Sequence, residues 1–393
     1  MSLEIRPVDR WRDLRAFVNV PFRLYGVDGT WVPPLKLERY QYLTPKLNAF
    51  FKHGEAQLFL ALRDGRAVGR ISAHIDRAYN AYHDARWGWF GFLEVDEDID
   101  ALEGLLGAAE GWLRERGCDR MVGPADFTLN DGCGVLVEGF DLAPIIRQTW
   151  NEPYLPALCD RAGLEKAMDV FFWFLDVSDR TQVLPILPQL AEDARSKHRM
   201  RLRKMSRRSL RRDLDLFGEL YNDAWKDNWG FVPYSNEDLD AYALDLQLVF
   251  DRDWFMVAQA PDGEPVGVAI TVPDVNQVLK LMRGRLLPLG WWRFLRKKRI
   301  VDACRVGFLG VKPEFQHTGV AALLYMEHFH QASIQRMTHG EMGWILETNI
   351  AMNRAMEAMH GRIVKRYRIY ERRFSPDVAP AWPEGARVWD PSS

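Results

Sequence analysis

Val306-Gly307-Phe308-Leu309-Gly310-Val311-Lys312-Pro313-Glu314-Phe315-Gln316-His317-Thr318-Gly319-Val320-Ala321-Ala322-Leu323-Leu324 reads as an apolar strand, a turn holding one glycine, and the start of a helix. A strand that enters a helix through such a turn aims several backbone N–H groups and a helix N-terminus at one point, which suits an anion. An earlier stretch matches its first part: Gly91-Phe92-Leu93-x-Val95 aligns with Gly307-Phe308-Leu309-x-Val311 at an offset of 216. After Val95, however, the chain continues Asp96-Glu97-Asp98-Ile99-Asp100-Ala101, with four carboxylates and no glycine. Carboxylates there repel a diphosphate, so the two stretches predict one anion site, in the later copy.

The correspondence extends along the chain. Asp64-Gly65 and Val68-Gly69 match Asp262-Gly263 and Val266-Gly267 at an offset of 198, as do Asn151, Ala157 and Gly163 with Asn349, Ala355 and Gly361. Leu14, Phe17 and Val32-Pro33 match Leu214, Phe217 and Val232-Pro233 at 200. Ordered matches at nearly one spacing indicate duplication of a whole domain rather than a short-period solenoid. The halves divide as residues 1–180, a linker over 181–195, and 196–393.

Each half predicts the same succession. A strand at Leu3–Arg6 precedes a helix over Arg10–Tyr25, and Ala56–Asp76 is a hairpin turning at Asp64-Gly65. Arg86–Val95 is a strand, Ile99–Arg116 an amphipathic helix stopped by Gly117, and Arg120–Pro124 a further strand. Pro153–Ala162 is a helix ended by Gly163, and Asp169–Val177 closes the first copy. The fold class is α/β: a mixed sheet with helices on both faces in each half, with the two sheets packed as a pseudo-twofold pair.

Gln316-x-x-Gly319-x-Ala321, set between that strand and helix, resembles the Q/R-x-x-G-x-G/A signature of the GCN5-related N-acetyltransferase (GNAT) superfamily. The strand Trp344-Ile345-Leu346-Glu347, the helix from about Asn349, Gly361 and the strand Lys365–Tyr370 follow in that family's order. The chain as a whole resembles two such acyl-CoA N-acyltransferase folds in tandem. The resemblance implies that Gln316, His317, Thr318, Gly319, Val320 and Ala321 hold the diphosphate of acetyl-CoA or another acyl-CoA. It also implies that the strand carrying Leu309 and Val311 pairs with the pantetheine arm and polarises the thioester carbonyl. Asn349 and Asn353 stand where the family contacts cofactor, Asn349 being equally suited to cap a helix.

An acceptor amine must lose a proton before it attacks, and Glu347, with Asp302 as second candidate, is the expected base. The tyrosine that many relatives use to reprotonate the thiolate is replaced by Glu357, and Tyr367 and Tyr370 read as core. The implied activity is an acyl-CoA-dependent N-acyltransferase, by default an N-acetyltransferase acting on a small-molecule or peptide amine. Two rivals stand beside it. One is an aminoacyl-tRNA-dependent transferase, since peptidoglycan-bridge enzymes also pair two GNAT-like folds. The other is an acyl-CoA sensor without turnover.

Charge and composition narrow the rest. A net charge of −2 does not mark the whole chain for nucleic acid. Residues 195–212 nevertheless hold ten Arg/Lys and no carboxylate, suited to tRNA or to a basic junction partly neutralised by the first copy's acidic turn. Arg283–Arg299, the insertion that separates the copies, mixes Leu286-Leu287, Trp291-Trp292 and Phe294-Leu295 with seven Arg/Lys, and reads as a lid or interdomain contact before a membrane surface. Pro124–Gly132 is a polar turn-rich loop, the first place to look for an acceptor site in the degenerate half. Four scattered cysteines offer no metal framework. Without a signal-type apolar region or a run near 18 apolar residues, the expectation is a soluble cytoplasmic protein.

Overall fold

The computed structural model describes residues 2–178, 183–226, 228–288, 290–335, 337–383 and 385–390. Among the described residues thirteen strands are formed: β1 (Leu3–Pro7), β2 (Gly54–Arg63), β3 (Arg66–Asp76), β4 (Trp87–Val95), β5 (Arg120–Gly123), β6 (Val135–Glu138), β7 (Glu165–Asp176), β8 (Arg201–Lys204), β9 (Phe255–Gln259), β10 (Pro265–Pro273), β11 (Ala303–Val311), β12 (His339–Leu346) and β13 (Arg362–Arg373). The β2–β3 hairpin pairs Arg63 with Arg66 around Asp64-Gly65, both of which take positive φ as the tight turn requires.

The two halves do not form two packed sheets. One continuous sheet runs β1-β2-β3-β4-β5-β13-β7-β12-β11-β10-β9-β8, with β6 pairing β13 off that path. The order reads alike from either edge because the halves exchange their last strands. β7 does not close the first copy; it pairs antiparallel with β12, Val170 opposite Leu346. β13 in turn pairs with β5, Tyr370 opposite Gly123. The two exchanged strands meet each other in the middle, Phe174 opposite Arg362 through Glu165 opposite Glu371.

Helices cover the sheet where their apolar stripes demand it. Ile99–Arg114 is capped by Asp98, whose carboxylate accepts the Ala101 N–H at 3.1 Å. It buries Ala101, Leu102, Leu105, Leu106, Ala109 and Leu113, the stripe expected at helical spacing. Its counterpart, Val320–Gln335, buries Val320, Leu323 and Leu324 toward the sheet. A second layer sits upon it. Ile186–Ser196, within the segment expected to be a bare linker, is a helix whose Ala191 and Ala194 pack into the same core cluster. The linker's first residues, 181 and 182, lie outside the described residues.

All four cysteines are buried and unpaired. Among the described residues, no helix is long and apolar enough to cross a membrane, and no group of His, Cys, Asp or Glu is placed to hold a metal ion.

Candidate functional site

β4 and β11 are the two strands that begin in parallel pairs and then lose them. β4 pairs β5 only from Trp87–Arg120 to Trp89–Val122, and β11 pairs β12 only from Ala303–His339 to Val306–Met342. Beyond those points each half opens a V, and the sequences dictate opposite fates for the two openings.

In the first half the V is closed. The loop after β5 turns back into it: Ala125 N–H donates to Phe90 O at 2.8 Å, and the Asp126 carboxylate accepts the Phe92 N–H at 2.9 Å. The fit depends on glycine, since a Cβ at Gly91 would stand 1.9 Å from Ala125 O. The acidic turn beyond is neutralised internally, Asp96 by Arg23 at 2.8 Å and Asp98 by the forked guanidinium of Arg63 at 2.7 Å on both arms. It therefore does not neutralise residues 195–212. Three of those cations pair within their own half: Arg203 with Asp213, Lys204 with Asp253, and Arg211 with Asp215 and Asp240.

In the second half the V stays accessible. The register against β10 runs Ile270–Phe308 then Thr271–Val306, leaving Gly307 as the extra residue of a bulge. Gly307 is exposed, and Leu309 and Val311 are half-buried. Pro313–Thr318 forms a short 3-10 turn, Gly319 takes φ +77°, and Val320 begins the long helix. Gln316 and His317 are exposed, Ala321 is half-buried, and Thr318 and Val320 are buried. Gly319 answers to packing as well as to its φ: a Cβ there would lie 2.4 Å from Leu190 O on the covering helix.

Both V openings face one large cavity of about 680 Å³ between the halves. Phe92 and Glu94 line it from β4, Arg305, Gly307 and Phe308 from β11. Its wall is mostly apolar, with Phe22, Trp31, Phe217, Leu246, Leu279 and Phe294 among its residues. The polar part comes from the loop singled out in the sequence and from facing side chains. Tyr221 donates its hydroxyl to Asn130 Oδ1 at 3.0 Å, and Trp344 Nε1 donates to Leu129 O at 3.0 Å, so the loop is held by the opposite half. Arg305 donates to Ile146 O at 2.6 Å and Gly343 O at 3.0 Å, and burial lowers its pKa to about 10, with Arg147 adding to the effect. Burial, reinforced by Glu94, pushes the Asp126 carboxyl up to about 7 despite the opposing Phe92 N–H and the guanidinium groups of Arg39 and Arg70.

The candidate bases read from the sequence lie elsewhere. Glu347 is 2% exposed and off the cavity wall: its carboxylate accepts the Asp169 N–H at 2.6 Å and the Lys166 ammonium at 2.7 Å. Those partners arrive on the exchanged strand β7, which is why the strand's own sequence did not reveal them. Asp302 is exposed, accepts from Gln277 Nε2 at 2.8 Å, and also does not line the cavity. Asn349 caps the helix Ile350–Ala358 by accepting the Met352 N–H. Asn353 is fully buried; its oxygen accepts from Trp173 Nε1 at 3.0 Å and its nitrogen donates to the carbonyls of Leu346 and Asn349. Asn353 thus has no polar atom to spare for a ligand. Asp126, Arg147, Tyr221 and Arg305, which the cavity does bring together, carry no common spacing in the sequence.

No protein-family model matches the chain. Bacterial ceramide synthase of Caulobacter vibrioides is 35% identical over 380 residues, which are 94% of this chain and 97% of that protein. Protein YghO of Escherichia coli is 32% identical over 366 residues, 92% of this chain and 93% of that one. Among solved structures, a tandem GNAT protein from the clavulanic acid biosynthesis pathway aligns with TM-score 0.57 at 12% identity, over 96% of this chain and 100% of the other. A GCN5-related N-acetyltransferase from Sphaerobacter thermophilus aligns with TM-score 0.53 at 12% identity, over 97% and 98%. At such identities the structures share the fold alone. The two sequence relatives match across nearly their whole lengths, and the chain belongs to the family that contains bacterial ceramide synthase and YghO, built on two GNAT folds in tandem.

Proposed function

We propose that this protein is an N-acyltransferase that moves a long acyl chain from an acyl-CoA thioester to the amine of a long-chain amino alcohol. The observation that carries this assignment is the central cavity: at about 680 Å³ and mostly apolar, it is far larger than an acetyl group needs and suits a lipid-sized ligand. The relative named for ceramide synthesis supports the same class, since a ceramide is the fatty amide of a long-chain amino alcohol.

In this reading the open edge of β11 pairs with the amide-bearing pantetheine arm, as an added strand does. A backbone amide near Leu309 or Val311 polarises the thioester carbonyl. Residues Gln316–Ala321 hold the diphosphate, Gly319 permitting the close turn. Asp126, on the cavity wall with a pKa near neutrality, takes the proton of the acceptor ammonium. The free amine attacks the carbonyl carbon, the C–N bond forms and the C–S bond breaks. The nitrogen's second proton goes to the departing thiolate, so amide and thiol leave, and the proton on Asp126 passes to solvent.

The test is incubation of the full chain with sphinganine and acyl-CoAs from acetyl to palmitoyl, with the amide read by mass spectrometry and thiol release in parallel. The expected result is an N-acyl product formed faster with long chains than with acetyl-CoA. No amide from any donor, or turnover confined to acetyl-CoA with short amines, overturns the assignment.

A further inference from the structure

The segment Arg283–Arg299 is the insertion that distinguishes the second copy, and it carries a surface that cavity and catalysis leave unexplained. It folds as a turn and two short helices, Gly290–Leu295 and Lys297–Ile300, stacked on the helix Asn276–Met282. Its inner side is anchored. Phe294 packs on the second half's core, Gly284 fits against Phe22 and Pro34 of the first half, and Arg283 pairs with Asp28 at 2.6 Å.

Its outer side is apolar and faces solvent: Leu287 is 71% exposed, Leu295 68%, Trp291 45% and Trp292 46%. Large apolar side chains clustered this way on a surface mark an interaction site. The same seventeen residues hold seven Arg/Lys and no carboxylate, in a chain whose net charge is only −2. Arg285, Arg293, Arg296 and Arg299 are exposed beside the apolar cluster, and the Arg296 guanidinium lies 4.5 Å from the Trp292 ring centre. Leu286 joins the two environments, since it is exposed at the surface and also lines the central cavity.

We propose that this face docks on an anionic lipid bilayer, with Leu287, Trp291, Trp292 and Leu295 entering the headgroup boundary and the arginines meeting lipid phosphates. Charge decides the choice of occupant. A cluster of cations around exposed tryptophan and leucine complements an acidic membrane surface, whereas two copies of the same face would set Arg285, Arg293, Arg296 and Arg299 against their like. Docking there brings the cavity mouth beside Leu286 to the bilayer, so a lipid-soluble ligand enters without crossing water. The docking itself is independent of the catalytic assignment, because vesicle binding is read without turnover.

The test is co-sedimentation of the full chain with phosphatidylglycerol-rich vesicles and with pure phosphatidylcholine vesicles, together with tryptophan emission. Binding to the anionic vesicles, a blue-shifted emission and release by salt are expected. A Leu287→Ser/Trp291→Ser/Trp292→Ser variant is expected to bind about tenfold more weakly or less, and Arg296→Glu/Arg299→Glu to lose the preference for anionic lipid. Unchanged thermal melting shows that these exposed substitutions leave the fold intact. Equal binding by wild type and the triple variant overturns the proposal, as does no binding to either vesicle. A wild type that dimerises in solution through this face, with the triple variant monomeric and vesicle binding absent, assigns the surface to a second copy instead.

Discussion

The backbone N–H of Asp169 donates to the carboxylate of Glu347 at 2.6 Å, joining a strand of the first half to the end of β12. Lys166, on the same strand, holds the other carboxylate oxygen at 2.7 Å. Glu347 is therefore the carboxylate that clamps an exchanged strand in place. Glu347→Ala leaves a buried N–H without its acceptor and should cost roughly 3 kcal/mol of stability. Chemical denaturation checks the loss. The pH profile of turnover should keep its shape, and loss of the limb that rises with pH on the acidic side would restore Glu347 as the proton acceptor.

Lys365 provides a second clamp. Its ammonium, fully buried, reaches both oxygens of Glu341 at 2.8 and 2.9 Å and Gln148 Oε1 at 3.0 Å. Burial lowers its pKa while Glu341 opposes that shift. Lys365→Met strands the Glu341 charge and should destabilise by about 4 kcal/mol, and Lys365→Met/Glu341→Leu should recover most of it. A double-mutant cycle by urea unfolding measures the difference; additive losses would mean the two side chains do not act as a pair.

His53 ties the halves through charge. Its ring lies 3.5 Å from Asp238 of the second half and 3.0 Å from Asp76 of the first, and these partners raise its pKa to about 10. A folded-state pKa above the unfolded value stabilises most where both states are protonated, below about 6.5. The contribution is then lost as pH rises from there through about 10. Melting temperature followed from pH 6 to 10.5 should fall more steeply for wild type than for His53→Gln. Parallel curves would show that the ring is not charged in the fold.

Asp126 supplies the catalytic prediction. With its carboxyl pushed up to about 7, turnover should rise with pH through that value as the base ionises. Asp126→Asn should lower kcat by about 100-fold or more and erase that limb. Its stability at pH 8 should be unchanged or higher, because a buried charge has been removed. Asp131→Asn, on the same loop and cavity wall, serves as the control that keeps the limb.

The donor loop is tested by charge. Gln316 and His317 are exposed, so Gln316→Glu/His317→Glu should leave folding intact and raise the KM for acyl-CoA about tenfold by repelling its diphosphate. A KM that does not move would place the diphosphate elsewhere.

Much of this was legible in the residues. Asp64-Gly65 set the β2–β3 turn, the spacing of Leu102, Leu105, Leu106 and Leu113 set the long helix, and the loop Pro124–Gly132 was marked out by its turn chemistry before it appeared on the cavity wall. The helix Ile186–Ser196 does not stand out in the sequence because its apolar content is small and its burial depends on the helix Val320–Gln335. Glu347 and Asn353 are held by Lys166 and Trp173, 181 and 180 positions away, partners that no local pattern in the sequence shows.

The sequence by itself determined the repeated order of the main elements, and that one turn carries a glycine where its counterpart carries four carboxylates, because propensity, turn geometry and local charge act over a few residues. Only the tertiary structure decided that the copies exchange their last strands, that one V is closed by Ala125 and Asp126, and that the other opens on a shared cavity. β7 is largely apolar and β13 is rich in arginine, and their places in the sheet rest on packing and buried ion pairs between residues distant in the chain.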